Sequence, residues 1–468
     1  MPHPGHGPHP GHGPTPTSDP TSHVTPTRHT VAALVAVCLG YFMIILDATI
    51  VNAALPALRA DLRVGPTGPR WVVDGYLLML AALLLSGGAL ADRFGARRVG
   101  QLGLGVFVVA SVGCGLAPDL ATLVLARLAQ GVGAAAAVPA TLALLRAAFP
   151  EPAARARAFG VWGGIAGVAA AAGPIVGGVL VSAASWRLVF LVNLPIGLLA
   201  MALTARYVPA PPPRPRRLDP AAQVLAVLAL AGLTVALIEG GWVAGGGALV
   251  FLAATPAFLL VEGRVVDPML PLALFRNTVF AGGTVIGLLL NLGFYGELFV
   301  LNLYFQQGLG YSAPLAGLAL LPQMGVVALG SALSGRCTAR AASVRPTLLV
   351  GLVVGGAGLF GLALAGPHTP YLVLVGPLVA AGFGMSFSMP AVTTAVVEAA
   401  TAERAGLAAG AINAARQVGG VLGVALLGGL AGPGVGPGLR LAMVLAGAAF
   451  WLAASVAAHS IPGRAGQR

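Results

Sequence analysis

Charged residues are scarce in this chain. They make up 9% of its 468 residues, whereas 57% of the residues are hydrophobic and the mean hydropathy is +0.90. A soluble domain carries about 25% charged residues, so this composition excludes a soluble enzyme or a soluble binding module and indicates a membrane protein. Lysine is absent, and most of the 26 basic residues, all Arg, lie in short loops between apolar runs. We interpret them as topology-setting charges rather than as a nucleic-acid-binding surface.

Cysteine is nearly absent too, and so are the motifs of catalysis. Cys38, Cys114 and Cys337 show no disulfide or metal-site spacing. No catalytic triad, phosphate-binding loop or metal constellation is recognisable. The sequence therefore predicts neither an enzyme nor an ATP-driven pump, and no metal or organic cofactor.

The first 30 residues contain no long apolar run but repeat PHPGHG at residues 2–7 and 8–13. We expect this segment to be a disordered cytoplasmic tail, as Pro/Gly-rich termini usually are. Metal binding by its histidines is the alternative. These histidines are His3, His6, His9 and His12.

Long apolar runs occupy most of the remaining sequence. A membrane-spanning helix needs about 20 residues to cross about 30 Å of hydrocarbon, and fourteen runs reach that length. They are residues 31–56, 71–91, 98–117, 119–146, 158–182, 187–207, 220–239, 246–263, 279–306, 314–336, 346–366, 370–396, 406–431 and 438–460. Because most loop arginines lie on the side of both chain ends, we expect both ends in the cytoplasm of a bacterium, with the helices in its plasma membrane.

Several segments recur in the second half of the chain. Residues 88–97, GALADRFGAR, align without a gap on residues 331–340, SALSGRCTAR. Glycines of the fourth and fifth spans recur at the same spacing in the twelfth and thirteenth, and these pairs are Gly131/Gly382, Gly133/Gly384, Gly173/Gly419 and Gly177/Gly423. The fold class predicted is thus an all-α membrane protein of two related six-helix bundles with two inserted helices. Its parts would be the tail 1–30, a bundle 31–207, a cytoplasmic linker with two extra spans 208–278, a bundle 279–460 and a cytoplasmic tail 461–468. Parallel repeats with a ligand site between them are typical of rocking transporters.

The same segments resemble the major facilitator superfamily, and within it the fourteen-span drug:proton antiporter branch of the EmrB/QacA type. Residues 46–56, LDATIVNAALP, are similar to the first-helix signature of that branch, and residues 87–98, GGALADRFGARR, to the superfamily loop after the second span. The further matching segments are RLAQGVGAA from Arg127, GPIVGG from Gly173, WRLVFLVNLPIG over 186–197 and YFQQGLGYSAPLAGLALLP over 304–322. The resemblance covers about residues 31–431. It implies alternating access, with protons as the coupling ion and a small-molecule substrate as the partner besides the lipid bilayer.

Two charges lie inside spans of the first half. Asp47 and Arg127 each lie about 12–13 Å below the outer end of their helices, at 1.5 Å per residue. We predict that they belong to one polar cluster in which a proton on Asp47 is exchanged against the Arg127 charge. The alternative is a static pair that only assembles the helices.

Glu297 is the corresponding carboxyl of the second half. A lone carboxyl at membrane depth is costly when ionised, which suits a group that binds and releases a proton. The alternative is a permanently neutral, hydrogen-bonded carboxyl. Polar residues on nearby helix positions are predicted to line the substrate cavity: Asn52, Asn291, Tyr295, Asn302, Gln306, Asn413, Arg416 and Gln417. We expect Arg416 to face Glu297 or the cavity. Asp74 and Glu239 are expected to be solvated near the outer span ends, and the alternative is that they line the vestibule.

Two glycine-containing motifs complete the predicted machinery. The loop after the second span is predicted to latch the outward-facing state, because a carboxylate can cap a neighbouring helix N-terminus. Its residues are Gly88, Asp92, Arg93, Gly95 and Arg97. The antiporter motif implied by the resemblance gives the fifth span a smooth, kinkable face. Its residues are Gly173, Pro174, Gly177 and Gly178.

The function predicted is proton-coupled efflux of small amphipathic or cationic drugs by a monomer. A dedicated exporter of one endogenous metabolite or antibiotic, acting in self-resistance, is the first alternative. A non-transporting membrane receptor is the second, and it would need no titratable group in the cavity.

Overall fold

The computed structural model describes residues 28–65, 67–213, 219–265, 268, 270, 272–341, 343–400, 405–431 and 436–463. The predicted His-rich metal tail lies outside the described residues, as does most of the predicted C-terminal tail. Within the described part there are helices and no β-strand. The helices are α1 Arg28–Asp61, α2 Gly68–Phe94, α3 Ala96–Gly115, α4 Leu120–Ala148, α5 Pro152–Ala183, α6 Leu188–Leu191, α7 Asn193–Tyr207, α8 Pro220–Ile238, α9 Gly241–Glu262, α10 Thr278–Leu303, α11 Ala313–Ala319, α12 Leu321–Ala341, α13 Val344–Leu362, α14 Tyr371–Glu398, α15 Ala405–Ala431 and α16 Pro437–Ser460.

The predicted fold class is confirmed. Among the described residues, 13 helical spans are long and apolar enough to cross a membrane, or 14 when a bent pair is counted as one span. The bent pair is α11 and α12, which meet at 48°, so the span predicted over residues 314–336 contains a bend near its start. Pro322 supplies the cause, because it has no backbone N–H to continue the hydrogen bonds of α11. The sixth predicted span, residues 187–207, is found as one candidate span over Leu188–Tyr207, with a short interruption between α6 and α7.

The glycine pairs identified in the sequence make equivalent contacts in the two halves. A Cβ on Gly131 would lie 2.5 Å from the Tyr76 carbonyl oxygen of α2, and one on Gly382 would overlap the Gln323 carbonyl of α12. In the same way, Gly173 touches α1 and Gly419 touches α10. Since equivalent glycines bring equivalent helices together, the sequence repeat reflects a repeat of helix packing.

The inserted helix α8 lies against α2 and also contacts α15. Gln223 donates to the Ala82 carbonyl at 2.9 Å near one end of α8, and Trp71 Nε1 donates to Glu239 at 2.6 Å at the other. Glu239, expected to be solvated, is therefore partly buried and hydrogen-bonded. The inserted pair is thus attached to the side of the molecule where α2 and α15, one helix from each half, meet.

Several helices begin at side-chain caps. Asp119 accepts a hydrogen bond from the backbone N–H of Thr122 at 2.8 Å, and this bond lowers the pKa of the Asp119 carboxyl. Asp219 caps α8 and Asn277 caps α10 in the same manner. These caps satisfy backbone donors that the helices leave unpaired.

Candidate functional site

Asp47 of α1 and Arg127 of α4 form a fully buried ion pair, with 2.5 Å between Asp47 Oδ2 and Arg127 Nη1. Arg127 also donates from Nε to the Val72 carbonyl of α2 at 2.8 Å. Its guanidinium carbon lies 4.5 Å from the centre of the Tyr76 ring. The pair therefore holds α1, α2 and α4 together inside the first bundle.

Three further polar residues surround this pair, and none of them was identified from the sequence. Asn193 Nδ2 donates to Asp47 Oδ1 at 2.8 Å, and Gln130 Nε2 donates to the same oxygen at 3.2 Å. Ser111 accepts from Gln130 at 2.7 Å. Uncharged polar residues in apolar helices carry little sequence signal, although Gln130 lies three positions after Arg127 on the same helix face. The resulting network surrounds the Asp47 carboxylate with hydrogen-bond donors.

Glu297 lies on α10 with 1% of its surface exposed. Gln323 Nε2 of α12 donates to Glu297 Oε1 at 2.9 Å, and Gln323 also escaped the sequence analysis. No cation forms an ion pair with Glu297 in the described part of the chain. An unpaired carboxylate is costly in such surroundings, and the Gln323 bond offsets part of that cost.

Polar residues follow Glu297 where α10 ends. Gln306 donates to Asn302 at 2.6 Å and, across to the first bundle, to the Ala53 carbonyl of α1 at 3.3 Å. Residues Tyr304–Gly308 form a π-helical turn, a distortion that is frequent at functional sites. Two other predicted cavity residues bond to their own helices, Asn52 to Thr49 and Asn291 to Gly287.

Arg416 lies on α15 between the two halves, but its partner differs from the one expected. Arg416 donates from Nη1 to Asn413 Oδ1 at 3.0 Å, and Asn413 lies one turn earlier on the same helix. Arg416 is within electrostatic range of the Tyr41 and Tyr295 hydroxyls. Arg416 forms no ion pair with Glu297 among the described residues, and its place in the substrate cavity stays a prediction. Gln417 is half-buried beside it.

The burial of Asp74 differs from the expectation. Asp74 was predicted to be solvated, but the structure buries it completely, and neither carboxylate oxygen has a hydrogen-bond partner among the described residues. Arg70, one turn earlier on α2, is the nearby charge. The expectation failed because α2 packs against both α4 and α15.

The predicted latch residues lie where α2 ends and α3 begins. Gly95 adopts a φ of +95°, a backbone conformation that favours glycine, and separates the two helices. Arg97 donates to the Ala205 carbonyl near the end of α7, a favourable position for a cation at a helix C-terminus. Asp92 is half-buried, Arg93 is exposed, and Gly88 lies in α2 against Pro139 of α4. The latch role itself stays a prediction.

The antiporter-motif glycines of α5 face two different helices. A Cβ on Gly173 would overlap Thr49, and one on Gly177 would lie 2.7 Å from the Ile50 carbonyl, both on α1. A Cβ on Gly178 would instead lie 2.6 Å from the Ala313 carbonyl in the second half. Pro174 likewise touches the second half, since its carbonyl contacts Gly317 of α11. One short segment of α5 therefore forms a contact within the first bundle and a contact between the bundles.

The two ends of the interface between the bundles differ. We call the end where α1 begins and α16 ends the proximal end, and the opposite end the distal end. At the distal end the Gly178–Ala313 contact and the Gln306–Ala53 bond join the halves. Toward the proximal end, no described atom lies within 4 Å of a Cβ built on Gly160 or Gly164 of α5 or on Gly335 of α12. The structure is thus closed at the distal end and open at these positions on the α5/α12 side of the proximal end. On the other side, Gly410 of α15 still packs against Leu85 of α2.

Two six-helix bundles with a buried polar centre in each, closed together at one end, define a rocking transporter. The family model described as the Major Facilitator Superfamily matches residues 37–424. The chain belongs to this superfamily.

Curated relatives cover most of the chain. It is 40% identical over 400 residues to the "Methylenomycin A resistance protein" of Streptomyces coelicolor, covering 84% of each chain. It is 40% identical over 402 residues to the "Multidrug resistance protein Stp" of Mycobacterium tuberculosis, covering 84% of this chain and 74% of the relative. It is 37% identical over 414 residues to the "Tetracenomycin C resistance and export protein" of Streptomyces glaucescens, covering 86% and 76%.

Solved structures share the fold. A POT family transporter in complex with a thioalcohol-conjugated peptide superimposes with a TM-score of 0.71 at 14% identity, over 92% of this chain and 95% of the other. A D-xylose–proton symporter superimposes with a TM-score of 0.66 at 15% identity, over 93% and 98%. At these identities the likeness concerns the fold alone.

Proposed function

We propose that this chain is a proton-driven exporter of small amphipathic compounds of the antibiotic class, and a member of the fourteen-span drug:proton antiporter branch. Relatives that are 37–40% identical to this chain are named as resistance or export proteins, and these names support the substrate class. The observation that supports proton coupling is that Asp47 and Glu297, one in each bundle, are buried carboxyls that accept hydrogen bonds from side-chain amides, unlike the buried Asp74. Both termini would lie in the cytoplasm of a bacterium, so the proximal opening faces the cytoplasm.

The mechanism would use the carboxyls in turn as the bundles rock. In the distal-closed state Asp47 is held by Arg127, Gln130 and Asn193. In the distal-open state, a proton arriving from the distal side would neutralise Asp47 and weaken its attraction to Arg127. After the bundles rock, that proton would leave on the proximal side and restore the ion pair seen in the distal-closed state. One proton moving down 100 mV yields about 2.3 kcal/mol, enough to concentrate a neutral substrate about fifty-fold. The protein would act as a monomeric transporter rather than an enzyme, with protons in place of a cofactor.

A dedicated exporter of one metabolite is the second candidate. The observation favouring it is that two relatives are named for single antibiotics, methylenomycin A and tetracenomycin C. The breadth of substrates distinguishes the two, because a dedicated exporter would move one compound of a chemically diverse panel and a multidrug exporter many.

The test is substrate-driven proton movement by purified protein. Methylenomycin A or tetracenomycin C added to weakly buffered protein in detergent should release protons, and proteoliposomes should move the compound only under an imposed pH gradient. Asp47→Asn and Glu297→Gln should each abolish gradient-driven transport, whereas Glu398→Gln, at an exposed helix end, should not. Equal transport after the gradient is collapsed would refute proton coupling.

A further inference from the structure

An aromatic stack of the first bundle lies within electrostatic range of an arginine of the second bundle. Tyr41 of α1 and Trp162 of α5 are stacked, with ring centres 3.9 Å apart and planes inclined by 11°. Arg416 of the second half acts electrostatically on the Tyr41 hydroxyl. The cluster therefore combines a flat aromatic surface from one bundle with a cation from the other.

Two donors of this cluster have no acceptor. The indole N–H of Trp162 and the Nε–H of Arg416 are both buried, and neither has a hydrogen-bond partner among the described residues. A buried donor without a partner costs about 1–3 kcal/mol, so such groups normally reflect a strained fold or a site that a ligand completes. Here the two donors come from opposite halves, so a ligand that accepts from both would join the bundles.

The charges around the cluster favour one kind of ligand. Asp47 is occupied by Arg127 and Glu297 is hydrogen-bonded to Gln323. Arg416 has no carboxylate within ion-pair distance in the described part of the chain, and its stem packs against Gly287 of α10. The unneutralised charge at this position is therefore positive, which attracts an anion or a strong acceptor and repels a cation.

We infer that the interface between the bundles binds a planar ring compound that carries a carboxylate or an equivalent acceptor. The ring lies against the Tyr41–Trp162 stack, and Arg416 and Trp162 donate to the acceptor. This inference rests on the proposed function and specifies its substrate class. It favours acceptor-bearing compounds over the cationic drugs that the family resemblance admits.

Two dyes with the same planar xanthene core test the inference. Carboxyfluorescein is anionic and rhodamine 123 is cationic, and equilibrium binding of each to purified protein in neutral detergent is measured by fluorescence anisotropy, with protein-free micelles subtracted. Wild-type protein should bind carboxyfluorescein at least about tenfold more tightly than rhodamine 123. Tighter binding of rhodamine 123, or binding of neither dye, overturns the inference.

Matched variants test whether Arg416 and Trp162 donate hydrogen bonds to the bound dye. Arg416→Met should weaken carboxyfluorescein binding by at least about tenfold, as loss of a hydrogen bond to a charged group implies. Arg440→Met, at an exposed arginine, should have no effect. Trp162→Phe retains the stack and removes the N–H, so it should weaken binding about three- to tenfold, while Trp242→Phe, at a tryptophan that is 88% exposed, should not.

A third variant separates binding from folding. Arg416→Lys keeps the charge and should recover part of the affinity lost in Arg416→Met, and thermal unfolding shows whether each variant is folded. Unchanged carboxyfluorescein affinity in folded Arg416→Met protein overturns the inference. Because these measurements use no gradient, they can fail while proton-driven transport succeeds, and the reverse also holds.

Discussion

The Asp47–Arg127 pair illustrates how a buried charge is retained at the scale of single residues. Taking two charges out of water costs several kcal/mol for each ion, and their attraction offsets that cost only when the remaining lone pairs and protons are also bonded. Asp47 meets this condition through Asn193 and Gln130. Arg127 meets it only in part, because its Nη2 has no partner among the described residues. A pair that is incompletely satisfied can be separated with a smaller change in free energy, which suits a site that must switch.

Neutralising both Asp47 and Arg127 should preserve the stability of the fold while abolishing the coupling of transport to protons. Asp47→Asn alone leaves Arg127 buried without its counter-charge, and removal of one partner of a buried pair costs about 3–5 kcal/mol. The double variant Asp47→Asn/Arg127→Gln removes both charges, so its unfolding temperature should lie within a few degrees of that of the wild-type protein. It should nevertheless retain less than about 10% of gradient-driven transport.

Thermal unfolding in detergent and proteoliposome transport check both statements. The exchanged variant Asp47→Arg/Arg127→Asp serves as the comparison. If the exchanged pair restored transport, a static ion pair would suffice and the proton-exchange role of Asp47 would be wrong.

At the scale of the helix, α5 shows how glycine positions determine which elements move together. Gly173 and Gly177 bring α5 against α1 of its own bundle, whereas Gly178, one residue further, contacts α11 of the other bundle. Close backbone approach of this kind substitutes for the hydrophobic drive that lipid cannot supply between helices. The first contact must persist as the bundles rock, and the second must break.

Alanine substitutions along α5 should therefore have two different effects. Gly177→Ala forces a Cβ within 2.7 Å of the Ile50 carbonyl and should destabilise the fold by about 1–3 kcal/mol, as overpacking does. Gly178→Ala strains only the contact between bundles, so it should leave stability nearly unchanged and shift the protein toward the distal-open state. Gly163→Ala is the control, because no described atom lies within 4 Å of its added Cβ.

Unfolding midpoints and labelling of distal-end positions by a water-soluble maleimide measure the two effects. A large loss of stability in Gly178→Ala, or none in Gly177→Ala, would contradict this division of roles.

The sequence predicted the helices and the two-bundle plan because apolar runs and glycine spacings report directly on membrane crossing and helix contact. Counting residues from helix ends also placed Asp47 and Arg127 at one depth, where the structure joins them. The count failed for Asp74, because depth along one helix says nothing about the neighbouring helices that bury it. It missed Gln323 and Asn193 as partners for a similar reason, since an uncharged amide needs no compensating charge and leaves no periodic pattern.

At the scale of the whole molecule, the two bundles touch at the distal end and diverge on the α5/α12 side at the proximal end. Such asymmetry is expected of one state in an alternating-access cycle, in which the closed end must open before the open end receives new substrate. The distal contacts are close backbone approaches together with the Gln306 and Arg70 side chains. In the described part of the chain no ion pair joins the two halves.

A disulfide across the distal contact should therefore stop transport reversibly. A Cβ on Gly178 would lie 2.6 Å from the Cα of Pro314, so the helices must separate slightly to admit Gly178→Cys. The Cβ atoms of Gly178→Cys and Pro314→Cys would then lie about 4 Å apart, a separation suited to a disulfide. In protein whose Cys38, Cys114 and Cys337 are replaced by Ala, this pair should oxidise readily and reduce export to below about 10%. A thiol reductant should restore export.

The proximal pair Gly164→Cys/Gly335→Cys is the control. It should resist oxidation, because neither position has a described neighbour within 4 Å. Faster oxidation of the proximal pair, or undiminished export by the distal disulfide, would show that the distal contact is not a gate, because a gate that cannot open must halt every cycle.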